Sequence, residues 1–167
     1  MRILFLLFPD HGDPPELRME RFAGAYYLFK DLLFEVVLAS PSAGSPMASL
    51  VSSDRKSAAV SRFNTDGNAR DELADTIGFD QVVVEDFDAA YSIGLTGPIW
   101  TASGPETLIA RFLAAGKSVV VIPGIGLDLA ECGAGCGMLI IGDQDGSPLL
   151  AAHTLSHLLH NSHSTKG

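Results

Sequence analysis

The stretch SVVVIPGIGLDLAE, residues 118–131, decides how this chain is read. Its first half, rich in Val and Ile without polar alternation, has the pattern of a strand covered on both faces. The segment Pro123-Gly124-Ile125-Gly126 then reads as a tight, glycine-flanked turn, with a helix starting near Ile125. In many α/β enzymes such a strand-to-helix corner holds a nucleophile. Here the corner residue is Pro123, which has no reactive side chain and no backbone N–H.

Working outward, the same kind of apolar run recurs at RILFLLF (2–8), EVVLAS (35–40), AAYSIG (89–94) and GMLIIG (137–142). A further run, QVVVEDFD (81–88), reads as a short edge strand or the approach to the strand at 89–94. Helical patterns separate the strands. Residues 15–33 place Leu17, Phe22, Tyr26, Phe29 and Leu33 near one face, and residues 103–117 close on Gly116 as a C-terminal stop. Residues 147–161 begin with Ser147 as N-cap and Pro148 at the first helical position. Residues 40–57 read as an exposed loop, followed by one or two helices across 59–77. Strands alternating with helices predict one α/β domain over 1–167, a flavodoxin-like three-layer α/β/α sandwich with a mostly parallel sheet.

Bulk properties exclude several functions. The chain has 167 residues with 11 basic and 20 acidic side chains, a formal charge of −9. Such a surface repels phosphate backbones and anionic lipid, so neither nucleic acid nor membrane is an expected partner. The opening MRILFLLF runs directly into PDHGDPP, which reads as a first core strand rather than a signal peptide. The two cysteines, Cys132 and Cys136, make no disulfide framework, and a cytoplasmic location is expected. One C-x3-C pair is a weak zinc signal, because structural sites use four ligands.

In doubly wound folds ligands sit outside the carboxyl ends of the strands. This draws attention to the corners PDHGD (9–13), SPSAG (40–44), GLTGPIW (94–100) and PGIG (123–126). No Asp ends the third strand as a phosphoacceptor would, and no phosphate loop follows the first, so response-regulator and flavodoxin readings fail. His11 is a group that titrates near neutrality at the mouth of the sheet, between Asp10 and Asp13, which as loop residues fix turns. Backbone amides across 94–97 are placed to cradle an anion, with Trp100 as a pocket floor. His153, His157 and His160 form one stripe of the last helix and read as a solvated face, opposite Ala151, Leu155, Leu158 and Leu159.

The blocks AYYLFKDLLFEVVLASPSAGSP (25–46), AVSRFNTDGNARDELADTIGFDQVVVEDFDAAY (59–91), GPIW (97–100) and ARFLAAGKSVVVI (110–122) give a more specific signal. In their order and spacing the chain resembles the DJ-1/PfpI (ThiJ) family of the class I glutamine amidotransferase-like superfamily, closest to the Hsp31-like and glyoxalase branch. The resemblance spans roughly residues 1–126 and resumes from Met138, and the intervening segment is shorter than in that branch. It implies a cysteine on the strand-to-helix corner, a Glu from the first helix beside the thiol, and a Gly-Gly amide pair as oxyanion site. Carried over residue by residue, the cysteine position falls on Pro123 and the following His on Gly124. The Glu position falls on Arg21, with Glu20 adjacent, and the Gly-Gly pair falls on Gly94 and Leu95, followed by Thr96. A thiolate is the reactive form in that chemistry, so four departures in one pocket imply that covalent catalysis is lost.

The expected function is therefore a catalytically degenerate, small-ligand-binding or interaction domain, with no metal and no cofactor. Glu20, Arg21, His11, Gly94, Thr96, Pro123 and Gly124 line the residual pocket. Arg21, a fixed cation, suggests a small anionic ligand, and the resemblance implies a homodimer. Two other readings remain. One is a glyoxalase/deglycase or amidohydrolase-type enzyme using His11 with Glu20, and the other is an Hsp31-like holdase chaperone.

Overall fold

The structure, a computed structural model, describes residues 1–8, 16–41, 43–44, 49–51, 57–98, 106–128, 137–142 and 148–164. In chain order these form β1 (Arg2–Leu7), β2 (Glu16–Arg18), α1 (Met19–Asp31), β3 (Glu35–Ser40), β4 (Ser49–Val51), α2 (Ala58–Thr65), α3 (Gly67–Ala74) and β5 (Ile77–Gly78). Two single-turn 3-10 segments come next, Phe79–Gln81 and Val84–Asp86. The chain continues with β6 (Ala89–Pro98), α4 (Glu106–Ala114), β7 (Ser118–Asp128), β8 (Leu139–Ile141) and α5 (Pro148–Ser164).

Six strands form one sheet in the order β5-β3-β1-β6-β7-β8, and every pairing in it is parallel. This is the doubly wound order of a flavodoxin-like sandwich, with β5 added beyond β3. The strands are apolar on both faces because both faces are covered. Ile3, Phe5, Leu7, Val36, Leu38, Tyr91, Ile93, Val120 and Ile122 pack under α1, α2, α3 and α5. Their alternates Leu4, Leu6, Ala39, Ala90, Val119 and Val121 pack on the other side under α4 and the 3-10 segments. The three predicted layers are thus present.

An aromatic cluster centres the α1 side. The Phe5 ring lies edge-on to Phe22 and to Phe29, each at 5.9 Å, and stacks on Tyr91 at 4.9 Å. Such pairs contribute about 0.5–1.5 kcal/mol each beyond the area they bury. The Tyr91 hydroxyl donates to the Pro148 carbonyl at 2.7 Å, tying the first residue of α5 to the sheet centre. Burial pushes the Tyr91 phenol well above its ordinary range.

Helix ends follow local chemistry. Ser57 caps α2 by accepting from the Val60 amide, and Asp66 caps α3 by accepting from the Ala69 amide at 3.1 Å. At the end of α4, Gly116 (φ 73°) donates to the Leu113 carbonyl and Lys117 to the Phe112 carbonyl, a Schellman motif that confirms the predicted stop. The end of α1 makes the same pair of bonds, Leu33 to Lys30 and Phe34 to Phe29, but its left-handed residue is Leu33 at φ 61°.

Several sequence expectations are corrected. Leu33 is 90% exposed, because α1 ends at Asp31 and the chain turns before Leu33 can reach the core, whereas Leu17, Phe22, Tyr26 and Phe29 are buried as predicted. Of the two readings of 81–88, the edge strand fails and the approach to β6 holds. Phe79, Val82, Val84 and Phe87 are buried at irregular intervals by 3-10 turns, and the edge strand is β5 just before them. Residues 40–57 are not all loop, since β4 pairs in parallel with β2 as a separate two-stranded sheet.

The largest correction concerns the opening stretch. No helix begins at Ile125, because β7 continues through Pro123 to Asp128, and β6 runs beside it to Pro98. Gly124, Ile125, Gly126 and Leu127 alternate small and apolar at the strand period of two, a signal masked by the dense glycine content. Proline is tolerated there for a geometric reason. The Val119 amide and the Val121 carbonyl both face β8, so strand alternation turns position 123 the same way, beyond the last β8 pair at Ile141.

Candidate functional site

The crossovers leave β1 in one direction and β6 in the other, so the topological switch point lies between the carboxyl ends of these two strands. The Phe8 amide closes the gap by donating to the Ile93 carbonyl at 2.9 Å. Phe8 is buried, and its ring lies 5.1 Å from Phe79 on the α4 side. Immediately beyond, Gly94 is an extra residue in β6, since Ile93 faces Ile122 and Leu95 faces Pro123. Its φ of 82° is one that glycine adopts without steric cost, and the resulting bulge bends the strand at the mouth of the crevice.

Because α1 leaves the carboxyl side of β1 and returns to the amino side of β3, its first turn stands at this same edge. That turn carries Glu20, half-buried, and Arg21, only 9% exposed. Arg21 is thus a basic side chain buried at the carboxyl edge of the sheet. The fold therefore brings Glu20, Arg21, Gly94, Thr96, Pro123 and Gly124 to one edge of the sheet. It does so through strands, however, and not through the predicted corner. The expected cradle of amides across 94–97 is part of β6, with Leu95 and Gly97 opposite Pro123 and Leu127, which leaves Gly94 and Thr96 at the irregular positions. His11, Asp10, Asp13, Trp100, Cys132 and Cys136 lie outside the described residues.

Two polar arrays lie elsewhere. Tyr26 donates to one oxygen of Glu72 at 2.7 Å while Lys30 donates to the other at 2.8 Å, joining α1 to α3. Tyr27 donates to Asp66 at 3.0 Å beneath the Arg62 guanidinium, which itself grips Asp31 with two bonds of 2.8 and 2.9 Å. Burial first, then the bond to Asp66, pushes the Tyr27 phenol up to about 12. Burial and Glu72 raise Tyr26 further. The Ala69 amide and then the Tyr27 hydroxyl hold the Asp66 carboxyl below its ordinary range. These arrays clamp helices together and lie away from the switch point.

A cleft of about 350 Å³ opens at the opposite, amino edge of the sheet, between residues 85–88, residues 115–118 and the end of α5. Lys117 at its wall donates to the Val84 carbonyl at 2.7 Å, the Glu85 carbonyl at 3.1 Å and the Phe87 carbonyl, so its ammonium is consumed by backbone. Sequence reading missed this cleft because it took EDFD either as part of a short edge strand or as the approach to the strand at 89–94, with no site there. Its only advance signal was three carboxylates packed into four residues.

His153, His157 and His160 are exposed on α5, while Ala151, Leu155 and Leu159 are buried beneath them and Leu158 partly so. The His160 ring lies edge-on to Phe34 at 5.5 Å. Among the described residues no group of three His, Cys, Asp or Glu side chains is placed to hold a metal, and no helix is long and apolar enough to cross a membrane.

No family model matches the chain, and no curated protein matches it. Among solved structures, the protein APC35852 is similar with a TM-score of 0.64 at 16% identity, covering 96% of this chain and 98% of that one. The Rapid Encystment Protein 24 kDa (REP24) of Francisella tularensis is similar with a TM-score of 0.53 at 15% identity over 73% of this chain, which spans 58% of that protein. At such identities the likeness is one of fold.

Proposed function

We propose that this chain is a non-catalytic, small-anion-binding domain, a degenerate relative of the DJ-1/PfpI family whose ligand sits at the switch-point edge. The observation that carries this reading is the burial of Arg21 in the first turn of α1, at the edge where β6 bulges at Gly94. A basic side chain buried in the first turn of a helix, at the same sheet edge as a strand bulge, favours a carboxylate or phosphate group. The loss of covalent chemistry is supported by Pro123, which offers neither nucleophile nor amide at the position where the family resemblance expects a cysteine. Glu20 flanks the charge, Thr96 and Gly124 complete the rim, and His11 is assigned to the same mouth.

Calorimetric titration with inorganic phosphate and with small mono- and dicarboxylates tests this reading. The wild type is expected to bind at least one of them. Arg21→Ala abolishes that binding, and Arg21→Lys retains part of it, because a point charge replaces a two-pronged donor. Unchanged binding in Arg21→Ala would refute the reading. Consumption of methylglyoxal above buffer background, lost in His11→Ala, would identify an enzyme instead.

A further inference from the structure

The histidines of this chain are not spread along it. Four of the five, His153, His157, His160 and His163, fall within α5, and no Asp, Glu, Lys or Arg occurs among residues 148–164. The only side chains of this helix that titrate are therefore imidazoles. Ala151, Ala152, Leu155, Ser156 and Leu159 form its buried face, which turns His153 and His157 to solvent. Residues four apart stand on successive turns of one face, with Cβ atoms about 5–6 Å apart. Two imidazoles at that spacing on one helix can reach a single metal ion.

The exposed histidines of this stripe are not equivalent. The His160 ring lies edge-on to Phe34 at 5.5 Å, and its Nδ1 donates to the Ser156 carbonyl at 2.7 Å, so it is held to the body of the protein. The imidazoles of His153 and His157 have no hydrogen bond, ion pair or ring contact among the described residues. The neighbouring hydroxyls are spent on the helix itself. Thr154 donates to the Leu150 carbonyl at 3.0 Å and Ser156 to the His153 carbonyl at 2.8 Å. No fixed positive charge on α5 repels a cation, and the chain as a whole carries a formal −9, which attracts one.

We propose that His153 and His157 together chelate one divalent ion of the copper, nickel or zinc type on the outer face of α5. Imidazole nitrogen suits these ions, whereas calcium and magnesium take oxygen ligands. Two protein ligands leave the rest of the coordination shell to water, so the ion exchanges with solvent. That arrangement agrees with the lack of any three-residue metal group among the described residues. It assigns a ligand to the face that the sequence reads as solvated. A chelate spanning one helical turn also joins His153 to His157, so the bound ion stabilises the helix that packs on α1 and β7. The site shares no residue with the anion reading, and either can fail alone.

Calorimetric titration of the full chain with nickel chloride tests the site. The wild type is expected to take up an equivalent of nickel whose affinity falls by about tenfold or more in His153→Ala and in His157→Ala. His160→Ala should leave that affinity unchanged. Thermal unfolding should follow the same pattern, with nickel raising the melting temperature of the wild type and of His160→Ala but not of the double variant His153→Ala/His157→Ala. A purely structural role for either imidazole would lower stability without metal and would not produce this metal-dependent difference. If an alanine variant loses helix by circular dichroism, His153→Gln and His157→Gln take its place. Zinc gives an NMR readout, in which the ring nitrogen resonances of His153 and His157 shift and those of His160 stay in place. No uptake of nickel or zinc by the wild type, unchanged uptake by the double variant, or an equal loss in His160→Ala would each overturn the proposal.

Discussion

Replacing Leu33 by glycine is expected to stabilise the protein, although it deletes a large apolar side chain. Leu33 holds the left-handed position of the turn that ends α1, at φ 61°, and its side chain is 90% exposed, so almost no burial is lost. Left-handed backbone costs a residue with a Cβ about 1–2 kcal/mol. Glycine removes that cost but widens the unfolded ensemble, which returns about 0.4–1 kcal/mol. The net gain is about 0.5–1 kcal/mol, read as a rise of about 1–4 °C in melting temperature for a chain of this size. Gly116 provides the mirror experiment, because it closes α4 with the same bonds at φ 73°. Gly116→Ala should lose about what Leu33→Gly gains. Urea and thermal unfolding followed by circular dichroism measure both. If the two substitutions shift stability in the same direction, or if Leu33→Gly destabilises, the backbone-strain argument is wrong.

Other expectations rest on single sites. Ser92 is fully buried in β6 and its hydroxyl has no hydrogen-bond partner among the described residues, so Ser92→Ala should be neutral or stabilising by up to about 1 kcal/mol in urea unfolding, and a marked loss would reveal a partner. Gly137 has no room for a side chain. A Cβ there would lie 2.3 Å from the Lys117 carbonyl oxygen and 2.8 Å from the Leu113 Cα, both backbone, so Gly137→Ala should destabilise by about 3 kcal/mol or yield insoluble protein. All three tyrosines, Tyr26, Tyr27 and Tyr91, have raised phenol values, so the folded protein should show no tyrosinate absorbance at pH 10. A raised phenol contributes stability below its unfolded value of 10.0, and for Tyr27 that stability is lost as pH rises through about 12. Asp66 has the opposite sign. Its depressed carboxyl stabilises the fold above the ordinary value of 3.8, and the contribution vanishes as pH falls through the lower folded value, so Asp66→Asn should flatten the acid limb of the stability profile.

Most of the fold was legible because the α/β pattern is carried by long apolar runs. β1, β3 and the first half of β7 announce themselves through unbroken Val, Ile, Leu and Phe, and the end of α4 and the start of α5 through Gly116 and Pro148. Reading failed where composition and conformation diverge. Gly124 and Gly126 look like turn residues, yet they permit β7 to slip by two residues against β6 between Pro123 and Leu127. The Val-rich run 82–84 has strand composition, yet its amides serve 3-10 turns, as in the bond from the Val82 amide to the Phe79 carbonyl. β2 and β4 were invisible because three-residue strands carry too little periodicity to count. For the site, the edge that gathers Arg21 and Gly94 was legible from topology alone. The conformation around Pro123 was not, because it depends on where β8 stops.

The three carbonyls that surround the Lys117 ammonium give this chain an internal gauge of its own integrity. An amine whose protons are all engaged is a poor nucleophile toward acylating reagents, while Lys30, bound to a single carboxylate, keeps protons to spare. Mass-spectrometric footprinting with an amine-reactive ester should therefore mark Lys30 in the native molecule and reach Lys117 only after the amino edge of the sheet has come apart.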